Sequence, residues 1–242
     1  MEYKYTAIIL NKIDIGETDR LYAFYTLEKG KMTAVARGVR KSQSKLAGKL
    51  ENFYLIDLTV MKSRGMGNIS SSIVERNFIH LHNNFDILEK VFGSIKIFNR
   101  LLKDEEKDLG VFKLLLEYLE VMNNLAKNKN IEKSVEKSNL IEQGFTFKFL
   151  ELLGYKIESN KCIESGKNLS EKNNFFNYSQ GGMVCNKYAS GMKNTMAVSN
   201  NSIKIIRIFF QNNLGALSRL AVNKKDINEI RRMSKSFIAW IC

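Results

Sequence analysis

The sequence predicts an α+β protein, with a small N-terminal β-barrel followed by an all-α domain that carries an irregular insert. Three observations point there. Short apolar runs with period-2 alternation fill the first 80 or so residues, clearest where Ile56, Leu58 and Val60 alternate with Asp57, Thr59 and Met61. After His82 the period becomes helical, with Leu88, Val91, Phe92, Ile95, Phe98 and Leu102 at i, i+3/i+4 spacing. Between residues 159 and 202 neither period holds, and Asn, Ser, Gly and Lys dominate.

In order along the chain, Tyr5–Leu10, Leu21–Leu27, Lys31–Arg37, Ile56–Met61 and Ile69–Val74 read as strands, with turns at Gly16, Gly30 and Gly65/Gly67. Five short strands in so short a stretch favour a closed or nearly closed barrel of the OB type, a frequent nucleic-acid platform. The helical part continues at Val111, Leu115, Tyr118 and Met122, and at Ile141, Phe145, Phe149 and Leu152, where Gly154 supplies a stop. Residues 103–110 and 126–139 are charged or Asn/Lys-rich and read as connectors. Helical spacing returns over Ile203–Phe210 and at Ile227, Ile230, Ser234, Phe237 and Ile241. The expected domains are 1–80 and 81–242, the insert lying at about 159–202 and held by packing of Phe175, Phe176 and Tyr178.

The distribution of charge narrows the function. The net charge of the 242 residues is +13. Residues 1–80 carry +5 and 203–242 carry +6, whereas 81–158 carry −1. A general bias toward Lys would have made the middle basic as well. Two basic ends imply two surfaces for polyanions.

The sharpest feature is the run from Glu28 to Glu51. It holds Lys29, Lys31, Arg37, Arg40, Lys41, Lys45 and Lys49 with no acid between. Val35, Leu46 and Leu50 are interleaved with the cations, as are Gly30, Gly38 and Gly48. Apolar anchors of this kind imply a folded surface that holds its cations in place. Phosphate contacts from Arg37, Arg40, Lys41 and Lys45 would bind nucleic acid without reading sequence. The basic C-terminal stretch, with Lys224, Lys225, Arg231, Arg232 and Lys235, reads either as a second nucleic-acid face or as the solvated side of amphipathic helices.

Three cysteines, Cys162, Cys185 and Cys242, are too few and too odd in number for a secreted disulfide scaffold. No signal peptide is visible, and no apolar stretch approaches the ~20 residues that span a bilayer. The expected location is the cytoplasm. Proline is absent.

The string Gly16-Glu17-x-Asp19-Arg20, then Gly30, then Ala36-Arg37-Gly38-Val39-Arg40, then Ser44-Lys45-Leu46-x-Gly48-x-Leu50-Glu51-x-Phe53 resembles the bacterial RecO family of recombination mediators. Asn52 stands where the family usually has proline. The closing stretch from Leu214-Gly-Ala-Leu217-Ser-Arg219-Leu220 to Trp240 is similar to the last helices of that family. The resemblance implies an OB-fold followed by a helical domain, and a non-enzymatic DNA-repair role. It implies binding of single- and double-stranded DNA, annealing of complementary strands, and help to RecA in displacing single-strand-binding protein, with RecR as partner. It also implies association with the nucleoid and a groove for the acidic, apolar tail of single-strand-binding protein, to which Lys96 and Arg100 could contribute. Whether RecF is needed is not implied.

In the insert, many RecO-like proteins have a small zinc module with two CxxC knuckles. Here Cys162 is followed by Ser165 and Cys185 by Tyr188, neither a normal zinc ligand, so no zinc and no cofactor are expected. Cys162 and Cys185 could lie close, although a reducing compartment disfavours a stable disulfide. His80, His82 and Asp86 form the other metal-like group and lack a further ligand. Glu17, Asp19 and Arg20 are expected to cap a turn and pair locally. Neither Gly65-Met-Gly67 nor any other stretch has the context of a nucleotide-binding loop. Two readings compete with the mediator: a general RNA-binding OB protein, and a metal-dependent nuclease.

Overall fold

In the computed structural model, which describes residues 1–62, 66–170 and 172–242, five strands close a barrel. They are β1 (Glu2–Ile15), β2 (Asp19–Thr26), β3 (Gly30–Ala36), β4 (Leu55–Met61) and β5 (Gly67–Arg76), arranged in the order β1-β2-β3-β5-β4, with β4 returning to β1. All pairings are antiparallel except β3 with β5, where Ala34 faces Gly67 and Val35 faces Asn68. This is the expected OB-type barrel. The turn expected at Gly65 lies outside the described residues.

The strands form where alternation places apolar groups inward. Ala7 and Ile9 of β1, Tyr22 and Phe24 of β2, Ala34 and Ala36 of β3, and Ile56, Leu58 and Val60 of β4 fill one core. β1 runs longer than its apolar stretch because β2 and β4 both pair along it. Between Ile9 and Asn11 its register with β2 shifts, a bulge at Leu10. Gly67 is required at the parallel closure, since a Cβ there would lie 2.3 Å from Val60 Cγ1. Gly30, at φ +76°, would put a Cβ 2.1 Å from the Glu106 carbonyl oxygen.

The helices are α1 (Ile79–His82), α2 (Phe85–Leu101), α3 (Leu109–Ala126), α4 (Ile131–Leu152), α5 (Asn186–Ala189), α6 (Asn200–Gln211), α7 (Leu214–Leu217) and α8 (Lys224–Ile241). The connector expected over 126–139 is helical from Ile131. The Asn130 side chain accepts a hydrogen bond from Lys133 N, which caps α4 four residues into that stretch. Ser134 and Ser138 are buried, so a polar sequence hides an inward face.

Two compact units divide the chain: Met1–Asn83 with Ile95–Asn123, and Asn84–Ser94 with Asn124–Cys242. The first therefore adds helical residues to the barrel. Tyr25, on the barrel's outer face, meets Phe98 edge-on at 5.3 Å and stacks on Phe112 at 6.4 Å. Its hydroxyl accepts a hydrogen bond from Asp108 N, and burial pushes the phenol up to about 12.

In the second unit α4 packs on α6, α7 and α8. The insert is more regular than its composition implies. β6 (Asn174–Asn177), β7 (Gly182–Cys185) and β8 (Thr195–Val198) form an antiparallel sheet in the order β7-β6-β8. Four-residue strands are too short for alternation to stand out. Phe176 is fully buried and meets Phe237 of α8 edge-on at 6.0 Å. Phe175 packs against Cys162 and Val184, and Tyr178 is half-buried.

Candidate nucleic-acid interface

The strand order obliges the chain to travel from β3 back to β4 across residues 37–54, and the basic run occupies that crossing. Its backbone is a chain of tight turns, with hydrogen bonds from Lys41 N to Gly38 O, Ser44 N to Lys41 O, Ala47 N to Ser44 O and Lys49 N to Leu46 O. Val39 and Leu50 are buried in the barrel core, and Leu46 packs against it. The side chains of Arg37, Arg40, Lys41, Lys45 and Lys49 are exposed. Apolar residues thus face in and cations face out.

The tip of the β1–β2 hairpin holds the start of this loop. Asp19 Oδ1 accepts hydrogen bonds from Gly38 N at 2.8 Å and from Thr18 Oγ1 at 2.9 Å. The Gly38 amide, with Thr18 second, holds the Asp19 carboxyl below the usual carboxylate range, and the charges of Arg37 and Lys41 add to this. Arg40 donates from its backbone to Thr18 O and from its guanidinium to Gly16 O, and its guanidinium pairs with Asp14 at 3.5 Å. Arg20 Nε binds the other oxygen of Asp14 at 2.6 Å, which lowers that carboxyl too. At the far end, Lys12 pairs with Glu51, and Phe53 N donates to Ile9 O. Asp19 and Arg20 therefore pair locally, as expected, while Glu17 is exposed. Asp14 and Lys12 were not foreseen. Opposite charges flanking the Gly16 turn were the available signal, since Asp14 faces Arg20 across the hairpin.

The seven cations separate into groups. Lys29 pairs with Glu105 at 2.6 Å and Lys31 with Asp104 at 3.2 Å. Lys31 Nζ also donates to the carbonyls of Asn99 and Leu102, where α2 ends. Arg40 is tied to Asp14. Among the described residues Arg37, Lys41, Lys45 and Lys49 have no carboxylate within 4.0 Å.

On α8, Lys224, Lys225, Arg232 and Lys235 are exposed. Arg231 is half-buried, donating to Asn139 Oδ1 at 2.8 Å and Glu142 Oε2 at 3.1 Å. Trp240 is 54% exposed near the end of the helix. Within the same unit a groove of about 560 Å³ runs between α4 and α8, with Ile131, Val135, Val222 and Ile227 as its apolar lining. Lys224 and Arg231 line it as well, as do Asp86, Glu132 and Glu136. Lys96 and Arg100 are exposed on α2, in the first unit, and do not line this groove.

The two insert cysteines do come together. Their sulfurs are 3.2 Å apart, and Cys185 N donates to Cys162 Sγ at 3.4 Å. Hydrogen bonding from Ser165 helps to lower the Cys162 thiol. Tyr188 is 38% exposed, its ring beside Lys187 Nζ. Among the described residues no three His, Cys, Asp or Glu side chains are grouped to hold a metal ion. His82 stacks on Phe53 and meets Tyr54 edge-on, and burial lowers its pKa.

Comparison with known proteins identifies the family. Residues 1–78 match the family model of the recombination protein O N-terminal domain, and residues 95–241 match that of its C-terminal domain. The chain belongs to the recombination protein O family. The basic crossing falls within the first match and α8 within the second. A protein of Dehalococcoides mccartyi named DNA repair protein RecO is 25% identical over 243 residues, covering 99% of this chain and 90% of that one. A Desulforamulus reducens protein of the same name is 23% identical, covering 98% and 89%. Another, of Rubrobacter xylanophilus, is 27% identical over 183 residues, covering 76% and 70%. Among the described residues, no helix is long and apolar enough to cross a membrane.

Proposed function

We propose that this protein is a non-enzymatic recombination mediator of DNA repair. It binds single- and double-stranded DNA, anneals complementary strands and helps RecA load onto DNA coated by single-strand-binding protein. RecR is its partner, and it works in the cytoplasm at the nucleoid without a cofactor. Membership of the recombination protein O family supports this reading, as do relatives named for DNA repair.

The observation that carries it is the pinned loop with four cations, Arg37, Lys41, Lys45 and Lys49, that have no ion-pair partner within 4.0 Å among the described residues. Phosphates would replace the missing carboxylates, and the gain would come largely from counterion release. Lys29, Lys31, Arg40 and Arg231 are assigned to holding the surfaces in shape. Lys224, Lys225, Arg232 and Lys235 form the second DNA face on α8. Two cationic faces would let two strands approach while their mutual repulsion is screened. The groove between α4 and α8 suits an acidic, apolar peptide tail, its carboxylates toward Lys224 and Arg231.

Annealing of complementary oligonucleotides by the wild type and by an Arg37/Lys41/Lys45/Lys49→Ala variant tests the assignment. The variant should anneal more slowly and bind single-stranded DNA more weakly, with melting unchanged. Equal annealing would remove the loop from the mechanism, and strong preference for RNA over DNA in competition would overturn the mediator reading.

A further inference from the structure

Cys162 and Cys185 are drawn into contact by backbone that the rest of the sheet dictates. Ile163 N donates to Met183 O, and Glu158 pairs with Gly182, so the segment bearing Cys162 runs alongside β7. The turn after Cys162 closes through Gly166 N to Cys162 O at 2.8 Å and Cys162 N to Lys167 O at 2.8 Å. Cys162 is wholly buried among Val184, Ala189, Leu169 and Met192, whereas Cys185 at the end of β7 is half-buried. Cys162 is therefore shielded from solvent, and Cys185 is partly accessible.

We propose that Cys162 and Cys185 form a reversible dithiol–disulfide couple, in which Cys185 meets low-molecular-weight disulfides and Cys162 resolves the adduct. Cys185 gives its proton to solvent, and its sulfur attacks one sulfur of the oxidant R–S–S–R. That S–S bond breaks and one RS⁻ leaves, so Cys185 carries a mixed disulfide. The Cys162 thiolate, 3.2 Å away, then attacks the Cys185 sulfur, and the second RS⁻ leaves. The protein pair is oxidised, and one small disulfide is reduced to two thiolates.

Partial exposure gives Cys185 the encounter with the oxidant, and the electrostatics give Cys162 the resolving step. Burial would raise the Cys162 thiol. Hydrogen bonds from the Ser165 hydroxyl, the Cys185 and Ser165 amides and the Cys185 thiol outweigh it and bring Cys162 down to about 6. Burial pushes Cys185 up, and its thiol donates to the Cys162 sulfur. Near neutral pH the inner sulfur is thus the thiolate that resolves. Ser165 stabilises that thiolate.

The test uses the full chain carrying Cys242→Ser, which removes the only other thiol. The protein is equilibrated with oxidised and reduced glutathione in the presence of EDTA. It is then quenched in acid, unfolded, alkylated with iodoacetamide and weighed. Oxidised samples should take no label, show a Cys162–Cys185 cross-linked peptide, and regain both labels after dithiothreitol. With Cys162→Ser added, a glutathione adduct should accumulate on Cys185. Three results would overturn the proposal: two labels retained in the oxidising buffer, a persistent adduct on Cys185 while Cys162 is present, or label protection that appears only without EDTA and so reports a bound metal.

Discussion

Asp19 Oδ1 accepts the backbone amide of Gly38 at 2.8 Å, and with the bonds from Arg40 to Thr18 O and Gly16 O this ties the β1–β2 hairpin to the entrance of the cationic crossing. Asp19 carries the opposite sign to the proposed ligand, yet it belongs to the binding apparatus. Its replacement by Ala should weaken single-stranded DNA binding several-fold although no cation is lost. Fluorescence anisotropy across a salt series checks this. Affinity should fall while the slope of log K against log salt stays put, because the number of phosphate contacts is the same.

The carboxyls of Asp14 and Asp19 are both held below the usual carboxylate range, by the Arg20 hydrogen bond in the first and the Gly38 amide in the second. A folded pKa below the unfolded one means stability that is present above about pH 4 and lost as pH falls through the folded values. Urea unfolding of the wild type should therefore show a decline between about pH 4 and pH 2 that an Asp14→Asn/Asp19→Asn variant shows less steeply.

Lys31 and Arg37 sit six residues apart and should behave oppositely. Lys31→Ala removes an ion pair and two carbonyl contacts at the end of α2, at a cost of about 1–3 kcal/mol in stability, with the salt slope unchanged. Arg37→Ala should leave stability within about 0.5 kcal/mol. Its salt slope on single-stranded DNA should fall by about 0.7, the share of one phosphate contact. Chemical denaturation and salt-dependent titration separate the two.

Gly30→Ala should cost more than about 1 kcal/mol, because φ is +76° and the new methyl would meet the Glu106 carbonyl. Thermal melting checks it. An unchanged melting temperature would mean that the 104–106 segment does not lie over the β2–β3 turn.

Trp240 is the one tryptophan in the chain and is 54% exposed on the helix bearing the second basic face. If DNA lies along α8, its emission should change on titration with double-stranded DNA, and Lys225→Ala/Arg232→Ala should reduce the change. Emission that never responds would leave the crossing as the sole DNA face.

Much of this architecture was legible because it rests on local periodicity. Alternation over Ile56–Met61 and the apolar run Leu21–Leu27 mark strands whichever partner they find, and the apolar anchors Leu46 and Leu50 already implied a folded surface that holds the cations in place. What escaped was non-local. Asp104 and Glu105 neutralise Lys31 and Lys29 from more than seventy residues away, so the uniform basic run in the sequence is divided in space. Short strands in polar sequence escaped too, since Asn174–Asn177 offers only two apolar residues to betray a sheet. The polar start of α4 read as a connector because its buried face is made of serines.

The crossing is anchored by Val39 and Leu50, which are members of the barrel core, and the barrel closes only when β1 finds β4, with Glu2 opposite Met61. Contacts of such sequence separation reward the chain only after the entropy of closing the loop between them has been met. The cations are therefore arrayed only once the whole barrel is shut, and an unfolded or partly folded chain offers the same charges without their geometry. Linkage runs the other way as well: a polyanion that prefers the arrayed form must raise the melting temperature of the barrel in proportion to that preference. Thermal stability of the first unit thus becomes a direct gauge of what the loop holds.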